Sequence, residues 1–266
     1  MRAAGKPRIL VLRAPGTNCE DETAYAFERA GARTVTLHVN ALFQRPKALD
    51  GFAGLVLPGG FSHGDDLGAG SVWATGIRAK VLDRIRRLVD RGGIVLGICN
   101  GFQALVKTGL LPGIDGSDER SVALATNVSN RYEDRWVILE ATATNAFFRK
   151  GDRIECPVAH GEGRLLPRDE ATWKHLRQDG QLALRYVDPG GRVPVPYPAN
   201  PNGSRDDVAG ITDPTGRILG LMPHPERHQF PWQSPLFHAG KAPRRPDGLL
   251  PFENAVRTLR DPTSVS

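Results

Sequence analysis

An α/β fold, with an open, mostly parallel sheet and helices on both faces, is predicted by three observations. The composition, 40% hydrophobic and 24% charged, is that of an ordinary globular chain. Short apolar runs alternate with segments of helical periodicity. The connections between them are brief, as strand–helix–strand units require.

The first element is the buried run Arg8 to Leu12. It leads into the polar turn Pro15-Gly16-Thr17-Asn18 and a helix from Glu20 to Ala30, whose acidic first turn suits the helix dipole and which Gly31 ends. Thr34 to Val39 alternates like a strand, and Gly54 to Leu57 is a second buried strand running into Pro58-Gly59-Gly60. From Gly76 to Arg91, Ile77, Val81, Ile85, Leu88 and Val89 recur at helical spacing, so a single amphipathic helix is expected, stopped at Gly92-Gly93. Ile94-Val95-Leu96 makes the next strand, and helical spacing resumes at Phe102, Leu105 and Val106.

After Pro112 the pattern becomes β-rich, with candidate strands at Arg135 to Thr142, Gln181 to Val187 and Arg217 to Met222. Prolines make residues 194–201 and 223–251 irregular, and Phe252 to Arg260 reads as a closing helix. No internal repeat is present. Residues 1–266 are expected to form one domain, with 228–251 as a Pro-rich insertion on its rim.

Lys and Arg number 35 against 29 acids, a net charge of +6, yet the basic residues are dispersed and no concentrated cationic face is indicated. Nucleic acid is therefore not an expected partner. The stretch Met1 to Leu12 has too short an apolar core for a signal peptide or a membrane span, which points to a cytoplasmic protein without membrane contact. Cys19, Cys99 and Cys156 are far apart with no C-x-x-C pair, so neither a disulfide framework nor a cysteine zinc site is expected. His63, Asp65 and Asp66 crowd one loop without a second cluster to complete a shell, and no metal is expected.

The most informative segment is strand, then Gly97-x-Cys99-x-Gly101, then helix. A nucleophile on a sharp strand-to-helix turn needs small neighbours on both sides, and the helix N-terminus behind it favours a thiolate and offers N–H groups to an oxyanion. Such a cysteine needs a base and an orienting acid. His224-Pro225-Glu226 follows an apolar strand, so both side chains should sit at a strand's carboxyl end, the edge where Cys99 also lies. Cys19 and Cys156 sit on no elbow and read as packing residues.

Several segments together resemble a known family. They are Gly16-Thr17-Asn18-Cys19-Glu20, Pro58-Gly59-Gly60-Phe61-Ser62-His63-Gly64-Asp65, Gly97-Ile98-Cys99-Asn100-Gly101-Phe102-Gln103, Ala159-His160-Gly161-Glu162-Gly163-Arg164, Asn200-Pro201-Asn202-Gly203-Ser204 and Met222-Pro223-His224-Pro225-Glu226-Arg227. Co-linear over about residues 8 to 260, they are similar to class I, or triad, glutamine amidotransferases, and among these to the amidotransferase subunits of phosphoribosylformylglycinamidine synthases. The Cys and His-Pro-Glu segments carry the class. The Asn-Pro-Asn-Gly-Ser and Ala-His-Gly-Glu-Gly-Arg segments carry the purine assignment.

The resemblance implies a flavodoxin-like sheet and a glutaminase using a Cys99, His224 and Glu226 triad through a γ-glutamyl thioester. It implies an oxyanion hole at the backbone N–H groups of Gly60 and Asn100. Glutamine contacts are implied at Gly59, Phe61, Gln103, His160 and Gly161, with Asn127 and Ser129 lining the pocket. The chain carries no Walker A loop, so no cofactor is expected in it. ATP and magnesium are expected on a large synthetase subunit that receives the ammonia to amidate formylglycinamide ribonucleotide, and the resemblance leaves room for a small third subunit. Little glutaminase turnover is expected of the chain alone. The stretch Asp66 to Gly70 is closer to the fused, long-chain form of the synthase than to the stand-alone subunit. The alternatives are an amidotransferase subunit serving another acceptor and a non-catalytic regulatory relative.

Overall fold

The computed structural model describes residues 5–116, 119–242 and 244–261; residues 1–4 of the amino-terminal stretch and residue 243 of the Pro-rich segment lie outside it. In chain order the elements are β1 (Arg8–Arg13), α1 (Glu20–Arg29), β2 (Arg33–His38), α2 (Val39–Gln44), β3 (Gly54–Leu57), α3 (Ser71–Lys80), α4 (Leu82–Asp90), β4 (Ile94–Ile98) and α5 (Asn100–Thr108). There follow β5 (Val122–Thr126), β6 (Glu133–Ala141), β7 (Arg153–His160), β8 (Glu162–Pro167), α6 (Glu170–Gln178), β9 (Leu184–Val187), β10 (Val208–Thr212), β11 (Ile218–Leu221) and α7 (Leu250–Arg260).

Nine strands form one sheet in the order β2-β1-β3-β4-β11-β10-β9-β6-β7, and β5 and β8 form a separate antiparallel ribbon. The β2-β1-β3-β4-β11 half is parallel throughout, the strand order of a flavodoxin-like doubly wound sheet. Beyond β11 every pairing is antiparallel, so β10 and β6 run against the rest. Right-handed crossovers put α1 and α3 on opposite faces. On one, Phe27 of α1 meets Phe252 of α7 edge to face at 5.0 Å; on the other, α3 packs against α5. The central parallel strands β3, β4 and β11 are buried from end to end, as expected for strands covered on both faces, while β2 at the edge of the sheet is not.

The single helix expected over 76–91 is two. α3 spans Ser71–Lys80 and is capped by Val81, whose φ of −136° breaks the ladder before α4. An i, i+4 apolar row precesses by about 40° per step around a straight helix. The break lets Trp73, Ala74 and Ile77, then Leu82, Ile85 and Leu88, each be buried. Val39, expected in a strand, opens α2 instead, behind a His38 side chain that accepts from the Asn40 N–H at 3.2 Å.

The helix α6, which periodicity does not announce, is set by its cap: Asp169 Oδ1 accepts from the Thr172 N–H at 2.7 Å. β7 was hidden by Pro157, which is tolerated because β7 is the edge of the sheet. The Pro-rich segment is irregular apart from single 3-10 turns, and it is anchored at its start. His228 Nδ1 lies 2.6 Å from the Glu155 carbonyl, and the Gln229 carboxamide donates to the carbonyls of Glu22 and Glu226 at 2.8 Å each.

Candidate active site

β4 and β11 are parallel neighbours with Ile98 opposite Leu221, so whatever follows them emerges side by side at one sheet edge. Cys99 follows β4 and N-caps α5 with φ 50° and ψ −106°, a strained conformation that over-determined surroundings must hold. Its N–H donates to the Leu221 carbonyl at 2.8 Å. The flanking glycines are required for space. A Cβ on Gly101 would lie 1.9 Å from the Leu57 carbonyl oxygen, and one on Gly97 would lie 2.5 Å from Leu105 Cδ1.

Beyond β11, the His224 N–H donates to the Pro157 carbonyl at 2.8 Å, and its Nδ1 lies 2.7 Å from Glu226 Oε1. Both side chains are buried. Burial works against charge on the ring, but the Glu226 carboxylate and the neighbouring Cys99 sulfur outweigh it and raise the His224 pKa well above the ordinary value. Nε2 has no hydrogen-bond partner, so it is the nitrogen left for proton transfer. The Cys99 thiol points to the Ala159 carbonyl oxygen at 3.6 Å, an open arrangement of the kind that tightens when substrate binds.

Pro58-Gly59-Gly60 brings a third loop to the same edge. A Cβ on Gly59 would come 2.6 Å from His224 Cε1, so glycine there makes room for the ring. Gly60, at φ +139°, bridges Thr17 through bonds carried by Asn18 and Phe61, and its own N–H takes no acceptor among the described residues. Asn100 opens α5, where an N–H has no partner one turn back. Two backbone donors are thus left without an acceptor among the described residues, one of them in the residue that follows Cys99.

Of the residues expected to hold glutamine, Phe61 is half-exposed and stacks at 6.3 Å on Tyr132, forming a rim above Gly161. Gln103 is nearly buried with its carboxamide engaged, accepting from Asn100 Nδ2 at 3.0 Å and donating to the Glu162 carbonyl at 2.7 Å. Its position beside the elbow is as expected, but its polar atoms hold protein. His160 is buried with Nδ1 3.2 Å from Asn127 Oδ1. Burial, then repulsion from His224, lowers its pKa to about 3, so the ring is neutral. Asn127 also donates to the His160 carbonyl at 2.8 Å, while the Ser129 hydroxyl bonds Glu133. In the Asn200–Ser204 segment, Asn202 donates to the Gly163 carbonyl at 2.9 Å and the Ser204 hydroxyl accepts from the Leu165 N–H, which pins β8 just after His160.

Sequence reasoning missed Cys19 and Tyr132. Cys19 is the N-cap of α1; its Sγ lies 3.9 Å from His224 Nδ1 and accepts from Arg227 Nη2 at 3.0 Å. Burial pushes this thiol up, with the bond to His224 acting against it. Cys19, His224 and Glu226 are the one trio among the described residues close enough to share a metal ion, and Nδ1 and Oε1 in that trio already bond each other. No local signal distinguishes Cys19, because its role depends on a residue 205 positions away.

The profile of the CobB/CobQ-like glutamine amidotransferase domain matches residues 6–258. The phosphoribosylformylglycinamidine synthase subunit PurQ of Dehalococcoides mccartyi is 46% identical over 96% of this chain and 98% of that protein. The chain belongs to the PurQ family of glutamine amidotransferases. The PurQ of Methanococcus maripaludis strain C7 is 42% identical over 94% of this chain and 96% of that protein. Among solved structures, a chain of PurLQS from Thermotoga maritima matches with a TM-score of 0.70 and 31% identity, covering 96% of this chain and 99% of that one.

Proposed function

We propose that this chain is the glutaminase subunit of phosphoribosylformylglycinamidine synthase. The observation that carries the reading is the Cys99 elbow set beside a buried His224–Glu226 pair on the adjacent strand, in a chain of the PurQ family. Cys99 Sγ attacks the side-chain carbonyl carbon of glutamine while His224 Nε2 takes the thiol proton. The carbonyl oxygen becomes an oxyanion between the N–H groups of Gly60 and Asn100. Collapse breaks the C–N bond, and His224 returns the proton to the leaving ammonia, which leaves a γ-glutamyl thioester. Water, deprotonated by His224, attacks the thioester and releases glutamate and the thiol. Glu226 keeps the Nδ1 proton in place and stabilises the imidazolium.

Gly59, Phe61, Gly161 and the His160 loop shape the glutamine pocket, with Gln103 bracing it. The chain acts as a single amidotransferase unit with the 228–251 segment on its rim, and it needs no cofactor of its own. Ammonia passes to a large synthetase subunit that carries ATP and magnesium and amidates formylglycinamide ribonucleotide. The solved relative, a chain of PurLQS, supports that partnership, and a small third subunit is part of this proposal. Among the described residues no helix is long and apolar enough to cross a membrane, and we place the complex in the cytoplasm.

The test is glutamate release from glutamine by the chain and its Cys99→Ala variant, alone and with the synthetase subunit, ATP and formylglycinamide ribonucleotide. Release that needs the partner and disappears in the variant is expected. Release that ignores this partner would retain the amidotransferase and discard the purine assignment.

A further inference from the structure

The two N–H groups proposed to hold the oxyanion belong to separate elements, the Gly59–Phe61 turn and the first residue of α5, so something must hold them in register. The Asn100 side chain is where they meet. Its Oδ1 accepts from the Ser62 N–H at 3.0 Å, while its Nδ2 donates to Asp65 Oδ1 at 2.9 Å and to Gln103 Oε1 at 3.0 Å. Asn100 has no exposed surface, and its carboxamide is engaged at both ends. Asp65 Oδ1 accepts a second bond, from the Gly70 N–H at 3.1 Å, which ties the loop to the N-cap of α3. The loop is strained where this happens, with His63 at φ 56° and Asp65 at φ 54°.

We propose that Asp65 is a positioning residue for the oxyanion donors, acting through Asn100. Its carboxylate fixes the Asn100 carboxamide, which in turn fixes the Ser62 N–H and hence the turn that presents the Gly60 N–H. The inference rests on the glutaminase reading above. An oxyanion donor acts in the transition state and hardly at all on bound substrate, so loosening it lowers kcat and leaves KM nearly unchanged.

The experiment compares the wild type, Asp65→Ala and Asp65→Asn in complex with the synthetase subunit, ATP and formylglycinamide ribonucleotide. It reads kcat and KM for glutamate release, the thermal midpoint, and the rate of Cys99 alkylation by iodoacetamide. Loss of a direct oxyanion donor costs about 10²- to 10³-fold, so Asp65→Ala, one step removed, is expected to lower kcat about 10- to 100-fold. KM should stay within about threefold, with alkylation and thermal midpoint close to wild type. Asn keeps an oxygen that can accept both N–H groups, so Asp65→Asn should recover most of kcat. A wild-type kcat in Asp65→Ala, a parallel rise in KM, or an Asn variant as impaired as the Ala variant would overturn the proposal. An inactive wild-type complex would instead overturn the glutaminase reading beneath it.

Discussion

The two halves of the sheet do different work. In the parallel half, β1, β3, β4 and β11 are buried along nearly their whole length, and each ends in a loop that reaches the site: 14–19, 58–61, Cys99 and His224. In the antiparallel half, β6 and β7 alternate between buried and partly buried residues, and Glu140 is held between Arg185 and Arg153 at 2.5 and 2.6 Å. That half supplies the site with backbone: the Ala159 carbonyl under the thiol and the Pro157 carbonyl on the His224 N–H. Side chains that react come from strand ends where several parallel strands converge, and the antiparallel wall holds them still.

Substitutions should separate the halves. Cys99→Ala in the parallel half is expected to reduce glutamate release by more than about 10⁴-fold, with the circular dichroism spectrum unchanged, because the substitution removes the nucleophile and only one buried atom. Gly101→Ala should act on folding as well as on rate. Its Cβ would sit 1.9 Å from the Leu57 carbonyl oxygen, and backbone cannot yield cheaply, so a loss of at least about 3 kcal/mol in urea unfolding is expected.

The wall's own signature is pH dependence. His160 has its pKa lowered from 6.5 to about 3, so the unfolded chain binds its proton first and stability falls as pH drops from about 6.5 towards 3. At about 1.4 kcal/mol per pH unit this amounts to up to ~5 kcal/mol across the window. A His160→Asn variant should show a shallower acid limb in denaturant titrations at stepped pH. His224 has the opposite sign: its raised pKa stabilises the fold most at low pH, and that contribution fades as pH climbs through the raised value. The smallest effect is expected for Glu140→Gln. The bond to Arg185 leads in holding the Glu140 pKa below its ordinary value, so the substitution should cost about 1 kcal/mol at pH 7. That difference should vanish as pH falls through the Glu140 pKa, with kcat unchanged throughout.

The same contrast explains what could be read without coordinates. Strands buried on both faces are continuous apolar runs, so Arg8 to Leu12, Gly54 to Leu57 and Ile94 to Leu96 stand out, and Gly97-x-Cys99-x-Gly101 is a local signal of the elbow. β7 alternates and carries Pro157, which blurs it, and α6 buries only Thr172, Trp173 and Leu176 on a narrow side. The break at Val81 separates a helix that packs on α5 from one that packs on β4, and no single segment encodes those partners.

By itself the sequence determined the parallel core, the elbow and the His224–Glu226 pairing, because each depends on residues within a few positions of one another and on simple periodicity. Only the tertiary structure decided which nitrogen of His224 is left for the thiol, that Cys19 touches the ring, that Gln103 holds protein with its polar atoms, and that Asp65 and Asn100 lock the two donor loops together. The last three of these join residues from 35 to 205 positions apart, and their partners are chosen by strand order and loop packing, which no local pattern records.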